Sequence, residues 1–167
     1  MAHRAERNRS GRLSEPSSIR NGGPGDQAWA RDLGHRTLSS SVSALRDAPE
    51  SMVGESFDRL LDFAFGQSHV LLVAEDTLER LGFALFLDRL PDEVSGWPQA
   101  FVVYVAVEPH ARRHGIGRQL MEACEAEARR RKLPYASFMV TEENVAAREL
   151  YAQLGYQTER RQLCKRL

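Results

Sequence analysis

The run Arg112-Arg113-His114-Gly115-Ile116-Gly117 has the residue types of an anion-binding turn. It stands between an apolar segment with strand character and a segment with helical periodicity. A helix N-terminus exposes unpaired backbone N–H groups and the positive end of the helix dipole. Glycines at alternate positions let such a backbone approach a phosphate closely. Arg112 and Arg113 add two guanidinium groups that can make charge-assisted bonds to the same anion. A tight turn that merely starts a helix would use the same residues, so the motif alone points to an anion without naming it.

Other phosphate loops fit less well. The turn lacks the Lys-Ser/Thr ending of a nucleoside triphosphate loop and the full Gly-x-Gly-x-x-Gly run of a dinucleotide fold. A pyrophosphate of another cofactor remains. Val107-Glu108-Pro109 precedes the turn, and Asn144, Ala147, Tyr151, Gly155 and Tyr156 follow it, with one helix and one strand between. These two motifs resemble the cofactor and second signatures of the GNAT superfamily of acyl-CoA-dependent N-acetyltransferases. The resemblance is clear from about residue 68 to the end and extends plausibly back to Ile19.

The resemblance implies an α/β fold of α+β type: a central mixed β-sheet flanked by helices, with its central strands splayed. It implies acetyl-CoA as co-substrate, its pyrophosphate on Arg112, Arg113, His114, Gly115, Ile116 and Gly117. The pantetheine arm would pair with strand backbone at Val105 and Val107. Asn144 would bond the arm or cap a helix, and one residue can do both. Tyr151 would be the catalytic acid, because a phenol is protonated at neutral pH and can neutralise a departing thiolate. Its alternative is a core tyrosine. The acceptor would be a primary amine of a protein N-terminus, a lysine or a small molecule.

The general base is where the resemblance stops. Relatives acting on protein N-termini carry a Glu five positions ahead of the Asn, and here that position is Met139. Glu108, Glu142, Glu143, His110 and Tyr104 are nearby, and each is explained more simply as a surface or packing residue. Water can relay the proton, since the free amine is itself the nucleophile. The missing Glu leaves a competing reading, a catalytically inactive acyl-CoA-binding sensor. No metal site is expected: Cys124 and Cys164 lack ligand spacing, and Cys124 lies on an apolar stripe. His35 and His69 suggest structural roles.

The elements that must position these residues follow from periodicity. Ser18–Arg20 suggests a first strand and Asp26 a helix cap, with Trp29, Ala30 and Leu33 facing inward. Residues 37–47 are Ser-rich and suggest a loop or irregular helix. Met52, Phe57, Leu60, Leu61 and Phe65 form a helical stripe over 49–65. Residues 69–74 and 81–87 suggest a hairpin, although its connection lacks glycine. Residues 89–98 suggest a surface loop, 101–107 a central strand, 115–132 a helix, and 135–140 a further strand. A helix follows from Asn144 to Gly155, and residues 156–167 are long enough for one or two final strands. The acceptor pocket is expected from the first two helices and the loops at 37–47 and 89–98.

The chain has 167 residues, 42% apolar and 28% charged, with zero formal net charge. That is the balance of one globular domain, here residues 17–167, behind a disordered polar tail over 1–16. Neutral charge gives no push towards nucleic acid, and Arg129–Lys132 suggests a solvated helix end rather than a nucleic-acid patch. No segment has the apolar length of a membrane span, and no apolar run follows the N-terminal arginines, so a cytoplasmic protein with reduced thiols is expected. A homodimer is an expectation of the family only.

Overall fold

The computed structural model describes residues 17–167, and the expected tail over 1–16 lies outside the described residues. The sheet has five strands in the order β1 (Ser18–Asn21), β2 (His69–Glu75), β3 (Arg80–Leu87), β4 (Gln99–Val107) and β5 (Tyr135–Ser137). The first three pairings are antiparallel and β4–β5 is parallel. Four helices surround it: α1 (Pro24–Thr37), α2 (Glu50–Phe65), α3 (Ile116–Arg130) and α4 (Val145–Gln153). This is the mixed α/β architecture expected.

Two apolar layers sandwich the sheet. On one face Leu33, Phe57 and Leu61 of α1 and α2 pack on Val73, Phe83 and Leu85. On the other, Ile116, Leu120, Met121 and Cys124 of α3 pack on Leu72, Leu81, Phe86 and Val102. The hairpin between β2 and β3 closes without glycine because the Asp76 carboxylate accepts from the N–H groups of Leu78 and Glu79, at 2.8 and 2.9 Å. An Asp side chain here substitutes for a special backbone conformation. The pairs Glu125–Arg129 and Glu127–Arg131 both form on α3, and Arg130 also pairs with Glu127.

Several expectations are corrected. α1 begins at Pro24, and Asp26 sits in its first turn, where its carboxylate accepts from Gly23 N–H at 3.0 Å. The same carboxylate binds Arg20 and Arg80, which ties β1 and β3 to the helix start. On α2 the buried residues are Phe57, Leu61 and Ala64, while Met52 and Leu60 face solvent. In keeping with the loop or irregular helix expected over 37–47, that segment forms two 3-10 turns, Leu38–Ser41 and Ala44–Arg46. Strand β5 ends at Ser137 rather than Val140. No strand forms over 156–167; the segment is held by ion pairs of Arg160 with Asp92 and Glu93, and of Arg166 with Asp47.

At Gly82 of β3 an added Cβ would lie 2.6 Å from the Ala106 carbonyl oxygen of β4. Backbone cannot yield there as a flexible side chain would. Gly82→Ala is therefore expected to cost about 1–3 kcal/mol, read as a lowered urea midpoint with an unchanged m-value.

Candidate active site

The site is built on an irregularity in β4. Its register to β3 shifts between Leu85 and Phe86, so that Leu85 faces Tyr104 while Phe86 faces Val102. Val103 is the extra residue of a β-bulge, which bends a strand and increases its twist. Val103 and Tyr104 consequently face the same α1/α2 layer, whereas Val102 and Val105 face α3. On the other edge of β4 the parallel ladder to β5 covers only Gln99–Phe101 against Tyr135–Ser137. Beyond Ser137 the chain turns away, and Phe138 packs on Tyr151 of α4 with ring centroids 4.3 Å apart. The two strands splay, and a gap opens between them.

The backbone facing that gap can be named. Glu108 N–H donates to Leu81 O across the β3 edge at 2.8 Å. Alternation then turns the polar groups of Ala106 and Tyr104 towards β3 and those of Val105 and Val107 towards the gap. Arg112 Nε donates to Val107 O at 3.3 Å, consistent with that direction. These are the two strand positions singled out from the sequence.

The anion turn closes the end of the gap. After a 3-10 turn over Pro109–Ala111, Arg113 has φ 66° and Gly115 φ 84°, both left-handed. Gly115 caps α3 and contributes no side-chain cap bond, and an added Cβ at Gly115 would meet nothing within 4 Å. Among the described residues no side chain accepts from the first-turn N–H groups of α3. Arg112 and Arg113 are exposed beside it, and His114 is half-buried. Ile116 is 1% exposed, its side chain in the core, so only its backbone belongs to the turn. Gly117 faces inward: its added Cβ would lie 3.4 Å from Leu150 and 3.9 Å from Val107. The end of β4, the start of α3 and the middle of α4 therefore meet, which brings both sequence motifs to one place.

Tyr151 lies half-buried on α4 against Phe138 and Tyr156. Burial raises its pKa above that of an ordinary phenol, so it holds its proton at neutral pH. Its hydroxyl makes no hydrogen bond among the described residues. Asn144 caps α4, its side-chain oxygen accepting from Ala147 N–H at 3.3 Å. The helix ends before Gly155, and Tyr156 N–H reaches back to Tyr151 O at 3.0 Å.

The carboxylates near the gap are all engaged. Glu108 is buried and bidentate with Arg36, at 2.7 and 2.8 Å. Glu142 pairs with Arg148, and Glu143 accepts from the Ser43 hydroxyl. His110 is bound to Glu79. The Tyr104 hydroxyl stands 3.3 Å from both Thr37 Oγ1 and Ser41 Oγ. Met139, at the position where relatives carry a Glu, is 81% exposed. Burial pushes the Cys124 thiol up to about 12, which leaves it inert as a nucleophile. Among the described residues no group of three or more His, Cys, Asp or Glu is placed to hold a metal, and no helix is long and apolar enough to cross a membrane. Two shallow cavities lie off the gap, about 230 Å³ beside Tyr156 and about 330 Å³ between β1 and α3.

Some of this geometry escapes sequence reasoning. Nothing in the run of valines marks Val103 as a bulge. The Arg36–Glu108 pair joins residues 72 positions apart. Phe138 carries a signal, an aromatic residue six positions before Asn144, although the residues around it have strand character.

Comparison with known proteins identifies the family and the fold. Residues 39–156 match the model of the acetyltransferase (GNAT) family. The chain belongs to that family. Its fold is shared with a Pyrococcus furiosus protein assigned as an acetyl transferase, at TM-score 0.77 and 22% identity, covering 91% of this chain and 100% of the other. A ribosomal-protein-alanine N-acetyltransferase of Brucella melitensis biovar Abortus 2308 is similar at TM-score 0.65 and 20% identity, covering 91% and 99%. An aminoglycoside N-acetyltransferase in complex with CoA is similar at TM-score 0.65 and 19% identity, covering 91% and 95%. At such identities the likeness speaks for the fold. No curated protein matches the chain significantly in sequence.

The Arg36–Glu108 pair fixes the end of α1 to the residue that follows β4, four positions before the anion turn. The guanidinium holds the Glu108 carboxyl below its ordinary range, against the opposing effect of burial. A lowered folded-state pKa contributes stability that is present above the unfolded value of about 4.3 and lost as pH falls through the folded value. Wild type should therefore lose more stability than Glu108→Gln between neutral and acid pH. Parallel urea-midpoint profiles for the two proteins would show that the pair contributes nothing.

Proposed function

We propose that the protein transfers an acetyl group from acetyl-CoA to a primary amine by direct attack. The observation that carries this is the convergence, at one gap, of unpaired β4 backbone, the open start of α3 and a protonated Tyr151. The pyrophosphate of the cofactor would lie on Arg112–Gly117, where backbone N–H groups, the helix dipole and two guanidinium groups favour an anion. The pantetheine amides would take the rungs that β5 leaves empty at Val105 and Val107. Asn144 retains a side-chain NH2 for the same arm while its oxygen caps α4.

In this reading the amine enters from the opposite face, where α1 and α2 flank the gap. Its lone pair attacks the thioester carbonyl, and a backbone N–H of β4 supports the developing oxyanion. The C–N bond forms, the C–S bond breaks, and the thiolate takes the proton of Tyr151. The attacking nitrogen, positively charged once the C–N bond has formed, loses its proton to water, and Tyr151 is reprotonated from solvent. No side chain serves as general base: each carboxylate near the gap is already held, and Met139 cannot accept a proton. The protein therefore relies on acceptor molecules that arrive as free amine. The acceptors named for two structural neighbours, an aminoglycoside and a ribosomal-protein alanine, are both amines.

A binding-only sensor is the second reading, motivated by Met139. Acetyl-CoA should raise the melting temperature by mass action. Tyr151→Phe should retain that shift and lower amine-dependent thiol release by about 10²-fold. A melting temperature unmoved by any CoA species would contradict the cofactor site. A full thermal shift with no thiol release from wild type and any amine would favour the sensor.

A further inference from the structure

The segment between α1 and α2 crosses the gap on the face opposite the anion turn. At one end the Tyr104 hydroxyl of β4 meets Thr37 and Ser41. At the other, Thr141 Oγ1 donates to Ser41 O at 2.8 Å, and Ser43 Oγ donates to Glu143 Oε1 at 2.8 Å. Thr141 and Glu143 follow β5, so this bridge joins the two walls of the splay. An amine approaching the gap from the α1/α2 face must pass it.

The charges along this rim are unevenly matched. Glu108 is neutralised by Arg36, Glu142 by Arg148 and Asp47 by Arg166. Asp92 and Glu93 share Arg160. Glu143 has no ion pair among the described residues; its hydrogen-bond partner is the Ser43 hydroxyl. Arg46, the cation of the same bridge, makes no contact with it. Neutral donors hold the carboxylate in place and ionised, below its ordinary pKa, without cancelling its charge. Glu143 is also the residue before Asn144, so it stands at the point where the acceptor rim meets the cofactor side.

We infer that Glu143 determines acceptor specificity: it holds a second ammonium group of the acceptor, and the substrate class is a diamine or polyamine. The inference rests on the acetyl-transfer reading. One amino group, as the free base, attacks the thioester; the other stays protonated on Glu143. The attacking nitrogen loses its proton to water and the thiolate is protonated by Tyr151, so the atoms balance as before. Ser43 and Thr141 are positioning residues that hold the rim.

The test compares 1,4-diaminobutane with n-butylamine by thiol release from acetyl-CoA. Glu143→Gln keeps an oxygen that Ser43 can bond and removes the charge. It is expected to lower kcat/KM for the diamine about fivefold, the size of one exposed charge–charge contact, and to leave butylamine and the KM for acetyl-CoA unchanged. High salt should erode the wild-type preference for the diamine in the same way. Ser43→Ala, which keeps the charge but loosens its placement, should lower the diamine-to-monoamine ratio less than Glu143→Gln does. An equal loss for both amines, no loss for either, or the same change of ratio in Ser43→Ala would overturn the assignment. Wild-type protein that releases no thiol with either amine would overturn the acetyl-transfer reading and this one with it.

Discussion

A strand that is paired along most of one edge and only a short part of the other is the constraint on which the rest of this structure depends. Strand β4 pairs with β3 from Phe101 to Val107 around the bulge at Val103, yet its rungs to β5 stop at Phe101 and Ser137. Leaving backbone donors and acceptors unpaired away from water costs about 1–3 kcal/mol each, so such a gap persists only if something holds it open and something polar fills it. The bulge at Val103 bends β4 on one side. On the other, Phe138 is drawn from the ladder by its packing on Tyr151. The side chain that opens the gap thus rests on the side chain proposed as its acid.

The remaining elements can be understood by what they do for this edge. α3 supplies the open amide groups at one end of the gap, and Gly115 gives them a turn that few other residues could adopt. α4 lays Leu150 and Tyr151 along one wall. The Arg36–Glu108 pair fixes the strand end from the far side of the sheet, which keeps the turn in register with the backbone of Val105 and Val107. The α1–α2 segment spans the opposite face. Two reactants can then meet through the gap from different sides, which is what direct transfer between a thioester and an amine requires.

The helices and strands were legible in the sequence wherever local pattern determines them. The stripe Leu120, Met121, Cys124 and Ala128 faces inward as its spacing demands, and the apolar residues on both faces of β4 mark it as central. Expectations failed where tertiary contacts overrode pattern. Residues 138–140 have strand-like side chains but leave the sheet because Phe138 finds aromatic partners on α4. Met52 and Leu60 fall on the apolar stripe of α2 but on its solvent side. The tail over 156–167 is charged enough to be held by ion pairs instead of a ladder. For the candidate site, the turn and Tyr151 were legible from motif spacing. The bulge, the Arg36–Glu108 pair and the bridge through Ser41 and Ser43 depend on contacts between residues far apart in the chain, which spacing does not encode.

The central claim is that the backbone of Val105 and Val107 faces an empty rung position that the cofactor fills. Amide hydrogen exchange of β4, resolved by residue in the absence and presence of acetyl-CoA, tests it most directly. The account predicts that the N–H groups of Val105 and Val107 exchange faster than those of Tyr104 and Ala106 in the free protein, and become protected when acetyl-CoA binds. Uniform protection along β4 in the free protein, or exchange at Val105 unchanged by saturating acetyl-CoA, would contradict it.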